Sequence, residues 1–128
     1  MAAPRVLAAD DDECNLDILR RMLLRLGAEV QTARDGAEAA RLALGEAAAG
    51  RPFDLVLLDL SMPVLGGAEA ARRIKAGLPG AVVLALSGAD EEEAALEPGF
   101  DGFAQKPITT DLVRGLLGRW CGGGGAAS

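Results

Sequence analysis

The chain has 128 residues, half of them hydrophobic, and a net charge of −6. That is the size of one domain with a core large enough to fold without staples, and an acidic chain lacking any basic block is a poor direct ligand for nucleic acid. No histidine occurs, which excludes a Ser-His-Asp triad, a His-ligated metal and a phosphohistidine of the chain's own.

Taken in chain order, an apolar run at Val6–Ala9 predicts a first strand ending at Asp10, Asp11 and Asp12. Leu16, Leu19, Leu23 and Leu26 follow at spacings that share one helical face, closed by Gly27. Asp12 reads as the N-cap of that helix. A more polar strand is expected at Glu29–Ala33, nearer an edge of the sheet. Asp35 and Glu38 make a capping-box pair ahead of Ala40, Ala43, Leu44 and Ala47. Leu55–Leu58 is a continuous apolar run ending at Asp59, and Gly66–Gly67 precede a helix through Ile74 that stops near Gly77 and Pro79. Ala81–Leu86 predicts a fourth strand ending at Ser87, and Ala89–Leu96 a short acidic helix ending at Pro98–Gly99. Phe103–Ala104 is a weaker strand followed by Lys106–Pro107. Thr109 caps a last helix carrying Leu112, Val113, Leu116 and Leu117. The Gly122–Gly125 run has nothing to bury and is expected to be disordered. Residues 1–120 are thus one domain and 121–128 a flexible Gly-rich tail.

Apolar strands that do not alternate with polar residues belong to a sheet covered on both faces, hence a parallel one. Alternation of strand and helix then implies an α/β, doubly wound, open sheet with right-handed crossovers. Such sheets bind ligands outside the carboxyl ends of their strands. Those ends supply Asp10, Asp11, Asp59, Ser87 and Lys106. Carboxylates gathered on one rim repel by roughly 4 kcal/mol per pair at 4 Å and an effective dielectric of 20. A hard cation such as Mg²⁺, which prefers oxygen ligands, relieves that repulsion. Carboxylates, Mg²⁺, a lysine and a hydroxyl are the components of phosphoryl transfer, and a carboxylate can itself be the nucleophile. Taken singly, each residue has a plainer reading: a cap for an Asp, a loop hydroxyl for Ser87, a surface turn for Lys-Pro. Asp59 is the exception, because the Leu60, Ser61, Met62 and Pro63 that follow give it no helix to cap.

Cys14 and Cys121 stand at unrelated spacing and make neither a metal knuckle nor a disulfide framework. With no leader and no apolar run of roughly 18 residues, a cytoplasmic protein without membrane insertion is expected.

Four ordered segments carry a resemblance to the receiver domain of two-component response regulators. They are Val-Leu-Ala-Ala-Asp-Asp-Asp-Glu-Cys-Asn (6–15), Asp-Leu-Val-Leu-Leu-Asp-Leu-Ser-Met-Pro (54–63), Ala-Leu-Ser-Gly (85–88) and Gly-Phe-Asp-Gly-Phe-Ala-Gln-Lys-Pro (99–107). The resemblance spans Arg5 to Arg119. It implies a flavodoxin-like, five-stranded parallel sheet of order 2-1-3-4-5. It further implies Asp59 as phosphoacceptor, Asp11 as a direct Mg²⁺ ligand, Asp10 acting on the ion largely through water, and the Ser61 backbone carbonyl as a third protein ligand. Ser87 matches the hydroxyl that turns toward the phosphoryl group. Lys106 matches the lysine on its oxygens, with a cis Lys106–Pro107 bond, and Phe103 the aromatic switch position. The donor implied is a phosphohistidine on a histidine kinase or histidine phosphotransfer protein, and the output an altered protein–protein contact with an unknown partner. Such a domain catalyses only its own phosphorylation and dephosphorylation.

The chain departs from the pattern in three places. Gly66 stands where an Asp usually follows the Met-Pro turn. Ser87 to Lys106 spans 19 positions (106 − 87), shorter than usual, and the shortfall lies in the fourth predicted helix. Phe103 has no hydroxyl. Alternatives are a phosphorelay intermediate, a receiver excised from a hybrid histidine kinase, an unphosphorylated pseudo-receiver, a flavodoxin-like cofactor binder and a phosphatase with an Asp nucleophile. Ser61 occupies the place of the phosphatase's general acid. Acidic Asp10–Glu13 would repel a cofactor's phosphate, and the full acid set with Lys106 speaks against a pseudo-receiver.

Overall fold

The structure is a computed structural model that describes residues 3–60, 62, 64–88 and 99–121. Five parallel strands, β1 (Arg5–Ala9), β2 (Glu29–Ala33), β3 (Leu55–Asp59), β4 (Val83–Ser87) and β5 (Gly102–Gln105), form one sheet in the order β2-β1-β3-β4-β5. Four helices are described: α1 (Glu13–Arg25), α2 (Gly36–Ala48), α3 (Gly67–Gly77) and α4 (Thr110–Trp120). The helix expected at Ala89–Leu96 and the Gly-rich tail lie outside the described residues.

Each apolar strand faces two cores, which is why its sequence does not alternate. In β1, Val6 and Ala8 join Leu16, Leu19 and Leu23 of α1 and Val113 and Leu116 of α4 on one side. Leu7 and Ala9 join Ala39, Ala40 and Ala43 of α2 and Ala70, Ala71 and Ile74 of α3 on the other. Strands β3 and β4 are buried throughout. The polar strand β2 is an edge, as its composition predicts.

Helix starts follow local chemistry. The Asp12 carboxylate accepts from the Cys14 and Asn15 amides at 2.9 and 3.2 Å. Asp35 accepts from Glu38 N at 2.8 Å, and Thr109 Oγ1 from Leu112 N at 3.1 Å. Each cap contributes about 1 kcal/mol. The box at α2 differs in one respect: Glu38 Oε1 accepts from Arg34 N at 2.8 Å, one residue before the cap. Helix α3 begins behind Gly66 without a side-chain cap. Strand β2 has the expected limits, and the other four shift by one or two residues at one end or both. The fourth strand runs to Ser87 because its ladder with β5 continues to the Ser87–Gln105 pair.

No described helix is long and apolar enough to cross a membrane.

Candidate functional site

Parallel register brings the chemistry together. Ala9 pairs with Leu58, so Asp10 and Asp59, each the next residue, leave adjacent strands at the same height. Asp59 pairs with Leu86, and Ser87 with Gln105, which sets Ser87 and Lys106 one step beyond on the other side. Main-chain bonds continue past the strands: Leu60 N donates to Leu86 O at 3.3 Å and Lys106 N to Ser87 O at 2.8 Å. The Lys106–Pro107 peptide bond is cis.

The rim that results is acidic, with two of its three carboxylates buried and the third open to solvent. Asp10 and Asp59 are buried, Asp11 is exposed, and each offers a carboxylate oxygen within 4.8 Å of the others. Burial pushes the Asp10 carboxyl up to about 6, against a 2.9 Å hydrogen bond from Asp12 N that holds it down; the Asp59 charge pushes it further up. Lys106 Nζ lies 3.2 Å from Asp59 Oδ1. The Ser87 hydroxyl is fully buried at this rim and has no hydrogen-bond partner among the described residues. A buried hydroxyl without a partner costs roughly 1–3 kcal/mol, so the site holds a donor that an incoming oxygen would satisfy. Three converging carboxylates with oxygen donors alone fit a hard divalent cation such as Mg²⁺.

Of the residues singled out by sequence, Asp10, Asp11, Asp59, Ser87 and Lys106 meet here. Ser61 lies outside the described residues. Phe103 sits on edge strand β5 with 42% of its surface exposed, so its ring is not packed into the sheet.

The parts that three residues of the surroundings play escaped the sequence reading, which marked Gly67 only as a helix start. Gly36 and Gly67, the first residues of α2 and α3, are buried against the segment that leaves Asp59. Val64 in that segment has φ +68, a left-handed conformation that a β-branched side chain resists. A glycine directly after an N-cap is the one signal that marked Gly36, since helix propensity does not favour it there.

Residues 6–117 match the family described as the response regulator receiver domain, and the chain belongs to that family. The transcriptional regulatory protein PrrA of Mycobacterium tuberculosis is 42% identical over 117 residues, covering 88% of this chain and 48% of PrrA. The sensor protein GacS of Pseudomonas syringae pv. syringae is 34% identical over 128 residues, covering 94% of this chain and 14% of GacS. The chain therefore spans about half of one relative and a small part of the other. Among solved structures, the receiver domain of sensor histidine kinase PA1611 from Pseudomonas aeruginosa PAO1 superposes with a TM-score of 0.85 at 28% identity, covering 94% of this chain and 99% of that one. That domain carries a magnesium ion coordinated in its active-site cleft.

Proposed function

We propose that this domain takes a phosphoryl group from a partner's phosphohistidine onto Asp59 and signals through the change that follows. The observation that carries the reading is the meeting of Asp10, Asp11 and Asp59 within 4.8 Å, with Lys106 on Asp59. In the transfer, an Asp59 carboxylate oxygen forms a bond to phosphorus while the donor's P–N bond breaks. The bonding pair returns to the imidazole nitrogen, which takes up a proton. Asp10 and Asp11 would hold Mg²⁺ beside Asp59, with the Ser61 carbonyl as a further ligand. When bound, the ion neutralises charge on the phosphoryl oxygens.

The chain's own groups do the rest. Lys106 sits where it can contact one phosphoryl oxygen as well as Asp59. The phosphoryl group adds about −1.5 to −2 charge, and the unpartnered Ser87 hydroxyl is the nearby donor that can turn to meet it. A turn of Ser87 toward the phosphoryl group is coupled to inward folding of the Phe103 ring, which is 42% exposed on the neighbouring strand, so the readout is a packing change near β5. The domain turns over no separate substrate. The donor is a histidine kinase or phosphotransfer protein. For it, Ile18 of α1, 52% exposed, flanks a cavity of about 310 Å³ that reaches Asp10 and Lys106.

Incubation with acetyl phosphate and Mg²⁺ should add one phosphate, detected by intact mass. Asp59→Asn should take up none; equal uptake by that variant overturns the assignment.

A further inference from the structure

The segment that leaves Asp59 is pressed from outside at both ends by glycines. At its start, Gly67 N donates to Leu60 O at 3.3 Å. A Cβ on Gly67 would lie 3.1 Å from both Asp59 C and Leu60 Cα, and closer still to the Asp59 carbonyl oxygen. At its end, Gly36 N donates to Leu65 O at 3.0 Å. A Cβ on Gly36 would lie 2.9 Å from Leu65 C and 3.1 Å from Gly66 O, and closer still to Leu65 O. These neighbours are backbone atoms, which cannot swing aside as the tip of a long side chain does. Between the two contacts Val64 holds its left-handed turn.

Gly67 belongs to the helix that follows the segment, so its contact is local. Gly36 does not: it begins α2, whose described residues supply no group to the acid rim. Its place there is not explained by helix formation either, since Asp35 already caps α2 and glycine weakens a helix. Close approach explains it. The start of α2 can bond to Leu65 only if position 36 has no side chain.

We propose that Gly36 is a positioning residue for phosphoryl transfer at Asp59. Resting on the function proposed above, it acts through Leu65 and Gly66 on Gly67, whose contact with Asp59 and Leu60 sets the height at which Asp59 meets Asp10 and Asp11 around one cation. Adding a methyl group pushes the segment off α2, and a displacement near 1 Å costs about 10²-fold in such sites.

The test uses the whole chain, with Mg²⁺ alone and with acetyl phosphate as probes. Gly36→Ala should bind Mg²⁺ about tenfold more weakly by calorimetry and take up phosphate more slowly at subsaturating Mg²⁺, with part of the rate recovered at saturation. Gly45→Ala adds the same methyl to α2 where nothing lies within 4 Å, and should bind Mg²⁺ as wild type does. Asp35→Ala loosens the start of α2 without adding bulk and should also weaken Mg²⁺, while Asp35→Asn keeps the capping oxygen and should restore it. A purely structural role lowers the unfolding midpoint and leaves Mg²⁺ affinity unchanged. Folded Gly36→Ala with wild-type affinity and uptake therefore overturns the proposal. If Gly36→Ala does not fold, equal Mg²⁺ affinity in Asp35→Ala and Asp35→Asn overturns it. Wild type that neither binds Mg²⁺ nor takes up phosphate overturns the site itself, a result distinct from wild-type behaviour in the variants alone.

Discussion

Replacing Asp10 with Asn is expected to stabilise the metal-free fold at neutral pH and to abolish its response to Mg²⁺. Asp10 is 3% exposed. Burial chiefly, and the Asp59 charge to a smaller degree, raise its carboxyl from 3.8 to about 6. A raised folded value means that the folded state holds this proton more tightly than the unfolded chain does. The contribution favours folding at low pH, falls as pH rises from 3.8 toward 6, and is lost above that. Roughly two pH units at 1.36 kcal/mol each give a cost of about 3 kcal/mol to the ionised fold, to order of magnitude. Asn has no charge to desolvate, and its Oδ1 can still accept from Asp12 N, a bond of 2.9 Å in the native protein. Urea unfolding in EDTA, followed by circular dichroism, should show Asp10→Asn more stable than wild type by about 1–3 kcal/mol at pH 8. The gap should narrow at pH 5. Mg²⁺ at a hundred times its dissociation constant should add about 2.7 kcal/mol to wild type and little to the variant. A variant less stable than wild type at pH 8 in EDTA, or a gap that widens toward pH 5, refutes the reasoning.

Lys106→Ala removes the cation 3.2 Å from Asp59; phosphate uptake from acetyl phosphate should slow by roughly 10²-fold, while calorimetry should find Mg²⁺ binding no weaker than in wild type. Val64→Asn places a residue tolerant of left-handed φ where Val has φ +68, and should raise the urea unfolding free energy by about 1 kcal/mol; a loss of stability would show that the Val side chain packs favourably there. Phosphorylation should lower hydroxyl-radical labelling of Phe103, now 42% exposed, and Ser87→Ala should blunt that change; labelling that stays constant on phosphorylation rules out an inward movement of the ring.

Much of the architecture was legible because it depends on short-range physics. Continuous apolar runs at Val6–Ala9, Leu55–Leu58 and Ala81–Leu86 are the consequence of a sheet covered on both sides, and Asp12, Asp35 and Thr109 cap helices through bonds to residues two or three positions away. The polarity of Glu29–Ala33 marked an edge strand. The limits of strands were less legible, since a ladder ends where its partner's ends: Ser87 belongs to β4 because Gln105 pairs with it.

The sequence by itself determined the residues of the rim. The acids, the serine and the lysine stand at the carboxyl ends of the strands the sequence predicts, and a parallel sheet must bring such ends to one side. What only the tertiary structure decided is their state and their support. Burial of Asp10 beside Asp59 sets its affinity for a proton, and the Ser87 hydroxyl is fully buried without a hydrogen-bond partner among the described residues. The close approach of Gly36 to Leu65 joins residues 29 positions apart (65 − 36). No local pattern encodes such a contact, because its energy exists only once α2 and the segment after Asp59 have been packed against each other by the sheet beneath them.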